Sequence, residues 1–211
     1  MKKYSKNQLQ RYPIYLKYLR QLKEQGHTSV SSPLIAKELG YSEEQIRKDL
    51  QLVSNEAGRP KKGRNIDKLI ETLENFLGYS SQANALLIGV GHLGNALMNY
   101  PFFEEMGIKI VAGFDSDKEK IGSLVNEKPI LAMEELSRSI KEYKANIIIL
   151  TVPANVAQNV TDFAVKAGAR AIWNFAPIHV NVPGDVVIED VNMASSLAVI
   201  WHRYLNLKNI D

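Results

Sequence analysis

Ala85-Leu86-Leu87-Ile88-Gly89-Val90-Gly91-His92-Leu93-Gly94-Asn95-Ala96-Leu97-Met98 is the stretch that decides how the second half of this 211-residue chain folds. Its first four residues form the short apolar run of a buried strand. The next six have the form G-x-G-x-x-G, with helix-compatible residues behind them. In that setting each glycine has its own duty. Gly89 permits a tight turn, Gly91 lets the backbone approach a pyrophosphate, and Gly94 lets helix pack on strand, with His92 and Leu93 beside the phosphates. The helix amino terminus favours the negative charge. A second strand pattern, Ile110 to Phe114, ends in Asp115, 21 positions past Gly94, where a carboxylate can accept hydrogen bonds from an adenosine ribose. An aspartate that merely starts the turn Asp115-Ser116-Asp117 is the plainer alternative. A carboxylate there also repels the 2′-phosphate of NADP, and no arginine stands beside it to compensate, so the pattern favours NAD(H).

Further on, Ala145 to Val152 is a continuous β-rich run, Ala154 to Ala167 a helical one, and Ala171 to Phe175 another strand. Such β-α-β units predict an α/β, Rossmann-type doubly wound sheet over residues 79–190. Val152 and Pro153 at one strand end, and Asn174, Ala176 and Pro177 at another, are then expected to face the ligand crevice. A dehydrogenase also needs a proton donor near the nicotinamide and room for a substrate. The Rossmann pattern occupies the chain through about residue 190, and His92 and His179 read as polar loop residues. No catalytic residue and no metal ligand set is assigned. Without an evident proton donor or substrate domain, the nucleotide reads as a signal; with zero cysteines, thiol chemistry, disulfides and Cys-based zinc sites are excluded, so any redox sensing goes through a bound molecule. A small NAD-dependent oxidoreductase remains the alternative, as does a constitutive DNA-binding protein carrying another nucleotide such as a CoA-type ligand.

Outward toward the amino terminus, the charge changes sign. Residues 1–78 hold 15 Lys and Arg against 9 Asp and Glu, and residues 79–211 hold 11 against 14. A basic half joined to an acidic one suggests a nucleic-acid-binding domain. Pro13 fits the first turn of a helix carrying Ile14, Tyr15, Tyr18, Leu19 and Leu22, which Gly26 ends. Ser31-Ser32-Pro33 then starts a short helix with Leu34, Ile35 and Leu39 inside, closed by Gly40. Ser42, with Gln45 three positions on, has the form of a capping box for a third helix whose buried stripe is Ile46, Leu50 and Val53.

Two short helices around a Gly40-Tyr41 turn form a helix-turn-helix pattern, whose second helix enters the major groove. Its outer face would carry Glu44, Gln45, Arg47, Lys48 and Gln51, among which Gln and Arg can pair with adenine and guanine edges; a merely solvated face is the alternative. Asn55 to Arg64 follows with the cations Arg59, Lys61, Lys62 and Arg64 and no apolar anchor larger than alanine. It reads as a basic wing on phosphates or a narrow minor groove, or else as a linker. A fourth helix, around Asp67 to Leu77, completes a winged helix-turn-helix domain over residues 1–78.

Residues 191–211 remain. Met193 to Leu205 is helical, with more apolar residues than one stripe needs, and is assigned to a homodimer contact because DNA half-sites are usually read by twofold dimers. Packing within its own chain is the alternative. No apolar run approaches the roughly 20 residues that span a bilayer, and Met1–Lys6 is polar, so a cytoplasmic protein without a membrane partner is expected.

Several motifs occur together in one order. They are Arg11-Tyr12-Pro13-Ile14-Tyr15-Leu16, Arg47-Lys48-Asp49-Leu50, the 89–94 glycine loop, Phe114 to Gly122, Val152-Pro153-Ala154 and Asn174-Phe175-Ala176-Pro177. The chain thereby resembles the Rex family of redox-sensing repressors over nearly its whole length. The resemblance implies a homodimer that binds a palindromic operator through winged-helix domains, senses NADH against NAD in Rossmann domains, and releases DNA when NADH binds. It also implies that the terminal helices are exchanged between subunits. Two stretches depart from the family pattern. Gln51-Leu52-Val53-Ser54 stands where the family has Ser-Tyr-Phe-Gly, which bears on operator preference. Asn192 stands where the family has an aspartate that pairs with Arg11, near Tyr100, in one redox state, so a weakened switch is implied.

Overall fold

Ser5 starts the first helix. In α1 (Lys6–Glu24) the Ser5 hydroxyl accepts from the Gln8 N–H, while the Gln8 side chain accepts from the Ser5 N–H, which satisfies two donors that the helix leaves unpaired. Pro13 therefore lies inside the helix, not in its first turn as the sequence suggested. The cap nucleates the helix upstream of the proline, and burial on both sides outweighs the one backbone bond that proline removes. The buried stripe shifts with it: Tyr12, Tyr15, Leu16, Leu19 and Leu22 are inside, and Ile14 is 42% exposed. The computed structural model describes residues 4–54 and 63–208, and contacts divide the chain into two units, Met1–Ser81 and Gln82–Asp211.

In the first unit α2 (Ser32–Leu39) is capped by Ser31, carries Pro33 in its first turn and ends at Gly40 in the left-handed region. Leu34, expected inside, is exposed. After the turn α3 (Glu43–Val53) starts at Ser42, whose hydroxyl accepts from the Gln45 N–H, and it buries Ile46 and Leu50. Two short strands, β1 (Ser29–Val30) and β2 (Arg64–Asn65), pair antiparallel as the ribbon of a winged helix. Gly63 enters that ribbon at φ +68°, and a Cβ there would lie 2.8 Å from the Val30 carbonyl oxygen. Between α3 and β2, residues 55–62, with Arg59, Lys61 and Lys62, lie outside the described residues. Helix α4 (Ile66–Leu77), capped by Asn65, packs on α1 through an edge-on Tyr12–Phe76 contact at 5.0 Å and an Arg20–Glu74 ion pair at 2.8 Å.

The second unit is a sheet of β3 (Ala83–Ile88), β4 (Ile108–Asp115), β5 (Leu124–Val125), β6 (Lys128–Ala132), β7 (Ile147–Leu150), β8 (Ala171–Asn174) and β9 (Val187–Asp190). Their spatial order is β5-β6-β4-β3-β7-β8-β9, parallel throughout except for the β5–β6 edge pair. Without β5 this is the 3-2-1-4-5-6 order of a doubly wound sheet, whose crevice opens where the winding reverses, between β3 and β7.

Alternation along β3 serves two cores. Ala85 and Leu87 face Met98 of α5 (His92–Met98) and Phe103 of α6 (Phe102–Glu105). Leu86 and Ile88 face Ile140 of α7 (Leu136–Glu142) and Ala157 and Ala164 of α8 (Ala154–Ala167). With both faces covered, the strand reads as an unbroken apolar run. The last helix, α9 (Met193–Lys208), behaves differently: every residue from Ala194 to Leu207 is exposed, Leu197 at 68%.

Candidate functional site

The turn from β3 into α5 is shaped by its glycines. Gly89 sits at φ +97°, and a Cβ on it would lie 2.7 Å from the Thr151 carbonyl oxygen; a Cβ on Gly94 would collide with the Gly89 carbonyl oxygen. These two positions are thus dictated by the protein itself. Nothing approaches the place where a Gly91 Cβ would stand, so the space over Gly91 is open.

Above the loop lies a cavity of about 650 Å³, a size that suits an enclosed cofactor. Of the residues expected in the crevice, Gly89, Gly91, Leu93, Asp115, Val152 and Pro153 line it. Thr151 and Lys120 line it too, and neither was foreseen. The Thr151 hydroxyl donates to the Gly89 carbonyl at 2.7 Å and holds the loop from the end of β7. Its position, first after a buried strand, was the available signal.

Asp115 closes β4 at the cavity edge. Its Oδ2 accepts from the Val90 N–H at 2.8 Å and from Lys120 Nζ at 3.2 Å, and its Oδ1 accepts from the Asp117 N–H at 3.0 Å. Burial alone would raise its pKa. The Asp117 N–H, Lys120 and the Val90 N–H outweigh that and hold the carboxyl below its ordinary value. No arginine stands beside Asp115, but a turn brings back a lysine from five positions on, and Lys120 supplies the neighbouring cation.

The remaining crevice candidates separate. His92 is exposed at the start of α5 and does not line the cavity. The Asn174 side chain is fully buried and organises the following turn, donating to the Ile178 carbonyl and Asp190 Oδ1 and accepting from the Ala176 N–H. Ala176 and Pro177 line a neighbouring cavity of about 540 Å³ with His179, Asp190 and Asn192, where His179 Nδ1 lies 2.6 Å from Asp190 Oδ2. Phe175 borders both cavities. Among the described residues no cluster could hold a metal ion, and no helix is long and apolar enough to cross a membrane.

On α3, Arg47, Lys48 and Gln51 are exposed, as the helix-turn-helix reading requires, while Gln45 is half-buried. Lys48 pairs with Glu44 at 2.7 Å along the surface, and that bond holds the Glu44 carboxyl below its ordinary pKa. Arg64, expected on phosphate, directs Nη1 to the Ser54 hydroxyl at 2.9 Å.

The group that sequence reading missed in this unit is Asp49, 1% exposed. Its Oδ2 accepts from Arg11 Nε at 2.7 Å and the Tyr15 hydroxyl at 2.9 Å, and its Oδ1 from Arg11 Nη2 at 2.9 Å and Gln8 Nε2 at 3.3 Å. All four acceptor directions are taken, so α1 and α3 are locked together. Burial, with Asp49 nearby, pushes the Tyr12 hydroxyl up to about 12 and raises that of Tyr15 as well. The signal was present, since positions 46, 49, 50 and 53 lie on one helical face with Asp49 inside the apolar stripe. Of the other residues assigned to the switch, Tyr100 is exposed and meets Phe103 edge-on at 5.4 Å. Asn192 caps α9, its Oδ1 accepting from the Ser195 N–H at 3.0 Å.

Known proteins align with both units. A family described as "Putative DNA-binding protein N-terminus" matches residues 3–51, and one described as "CoA binding domain" matches residues 80–178. The redox-sensing transcriptional repressor Rex of Treponema denticola is 41% identical over 192 residues, covering 91% of each chain. That of Bacteroides thetaiotaomicron is 41% identical over 202 residues, 96% of this chain and 91% of its own. Crystal structures of RSP in complex with beta-NAD+ and operator DNA, and of RSP in complex with beta-NADH, match this whole chain at 32% identity. They cover 96% and 98% of those chains, with TM-scores of 0.91 and 0.89.

Proposed function

The chain belongs to the Rex family of redox-sensing transcriptional repressors, and from that premise we propose that it binds operator DNA, holds NAD(H) in the β3/β7 crevice, and releases DNA when NADH binds. The observation that carries the nucleotide reading is the built cleft: an open space over Gly91, with Asp115 ionised and fixed at its rim. The exposed Arg47, Lys48 and Gln51 of α3, with the cations of the 59–64 segment, are the proposed DNA contacts. The division of labour is residues 1–78 for DNA, 79–190 for nucleotide and 191–211 for dimerisation.

The exposed apolar surface of α9, with Leu197, Ile200 and Trp201, supports a homodimer in which this helix packs on the second copy. Relatives named as transcriptional repressors support a regulator, not an enzyme, and a DNA target supports action in the cytoplasm. The match to a CoA-binding family favours, as a second reading, a CoA-type ligand in the same cleft. Titration of a labelled operator complex with NADH, NAD and coenzyme A tests both. NADH alone is expected to dissociate the complex. Dissociation by coenzyme A and not by NADH would replace this reading with the second.

A further inference from the structure

We propose that Lys120 sets how strictly the cleft separates NAD(H) from NADP(H), its ammonium offsetting the repulsion that Asp115 exerts on a 2′-phosphate; this rests on the dinucleotide reading above. The local chain builds the pair. The Lys120 N–H donates to the Asp117 carbonyl, and Gly122, at φ +85°, donates its N–H to the Ile130 carbonyl, closing a turn against β6. Lys120 is thereby carried back over the strand end. Its Nζ lies 3.2 Å from Asp115 Oδ2 and 3.5 Å from Asp117 Oδ2, and its side chain, 40% exposed, lines the cavity that Asp115 lines.

The acceptor directions left open on Asp115 decide what the pair can recognise. A carboxylate offers about four acceptor directions, and Val90, Asp117 and Lys120 occupy three of those on Asp115, leaving one on Oδ1. A ribose 2′-hydroxyl can donate to that direction and accept from the ammonium. A 2′-phosphate brings only acceptors. It has nothing to donate to Asp115 and is repelled by it, yet the third N–H of Lys120 is free of both aspartates and can meet a phosphate oxygen. The carboxylate therefore selects for the hydroxyl, and the lysine softens the selection. Val90 links this pair to the phosphate loop by a single hydrogen bond, so a change at Lys120 reaches the dinucleotide at the ribose and leaves the pyrophosphate seat in place.

The test is the affinity of the full-length protein for NADH and for NADPH, measured by titration on the parent, Lys120→Met and Lys120→Arg. In Lys120→Met the ratio of the NADPH Kd to the NADH Kd is expected to rise about tenfold, the effect of one charge-assisted contact at a half-exposed site. The NADH Kd is expected to rise less than the NADPH Kd, because the 2′-hydroxyl keeps its bond to Asp115, and a thermal melt like the parent's reports that the variant is folded. Lys120→Arg, which keeps the charge and can grip phosphate in two places, is expected to lower the ratio below the parent's. An unchanged ratio in both variants, or equal losses for both dinucleotides in Lys120→Met, overturns the role of Lys120 while leaving the cleft a dinucleotide site. A parent that binds neither dinucleotide overturns the reading of the cleft itself.

Discussion

Each unit holds a carboxylate where two segments meet, and the two are opposites. Asp49 joins α1 to α3 with four side-chain donors on its oxygens and 1% exposure. Asp115 joins the phosphate loop to the end of β4 through two backbone N–H groups and one half-exposed lysine, and it keeps an acceptor direction open at a cavity. A saturated buried carboxylate can only hold structure. An unsaturated one at a rim can bind. Satisfaction of the oxygens, more than burial or charge, separates a lock from a site.

Removing Asp49 should give the largest effect. Asp49→Ala strands the Arg11 guanidinium and the Tyr15 hydroxyl, and is expected to cost the first unit about 3–5 kcal/mol. Operator binding should fall with the melting of that unit while NADH binding persists. Loss of NADH binding along with it would break the comparison. Asp115→Ala should do the reverse, weakening NADH by about 10–150-fold, the range for a hydrogen bond to a charged group. DNA binding without nucleotide should be unchanged, and full NADH affinity in the folded variant would remove Asp115 from the site.

The two clusters should also fail at opposite ends of the pH scale. An unfolded tyrosine titrates near 10.0, and burial holds the Tyr12 hydroxyl up at about 12. The neutral form is favoured in the fold, so this contribution is complete below pH 10.0 and is lost as pH rises through about 12. Asp115 is depressed, so its contribution is present above the ordinary value of 3.8 and is lost as pH falls through its lowered value. Denaturant melts of the first unit on the alkaline side, and NADH titrations on the acid side, read these separately. A first unit equally stable across the alkaline window would show that Tyr12 ionises freely in the fold.

The smallest effect is expected at residue 192. The resemblance joins an aspartate there to Arg11 in one redox state, but Arg11 already lies on Asp49 at 2.7 Å. An aspartate introduced by Asn192→Asp would keep the cap of α9, because Asp and Asn cap equally well, and would have to compete with Asp49. The ratio of DNA affinities with NAD and with NADH is expected to increase by about fivefold at most, the value of an exposed ion pair. An unchanged ratio in a folded protein would leave Arg11 as part of the lock alone.

Local rules made several features legible in the chain. Strand, glycine loop and strand-end aspartate follow one another within β3 to β4, and caps and glycines mark α2, α3 and α4 within a residue or two. Other elements were illegible for a physical reason. The edge strand β9, Val-Ile-Glu-Asp, has half its side chains polar and none fully buried, so it shows neither an apolar run nor an inward face until β8 pairs with it. Pro13 misled because a stronger cap lay upstream at Ser5.

The two fold types and the turn glycines could be read from the sequence alone, because caps, turns and strand periodicity act between residues near in the chain. Packing settled which polar groups far apart in the chain become partners. Asp49 meets Arg11 across 38 positions, Asp115 meets Val90 across 25, and Thr151 meets Gly89 across 62, and such contacts depend on how helices and strands pack, which no local pattern records.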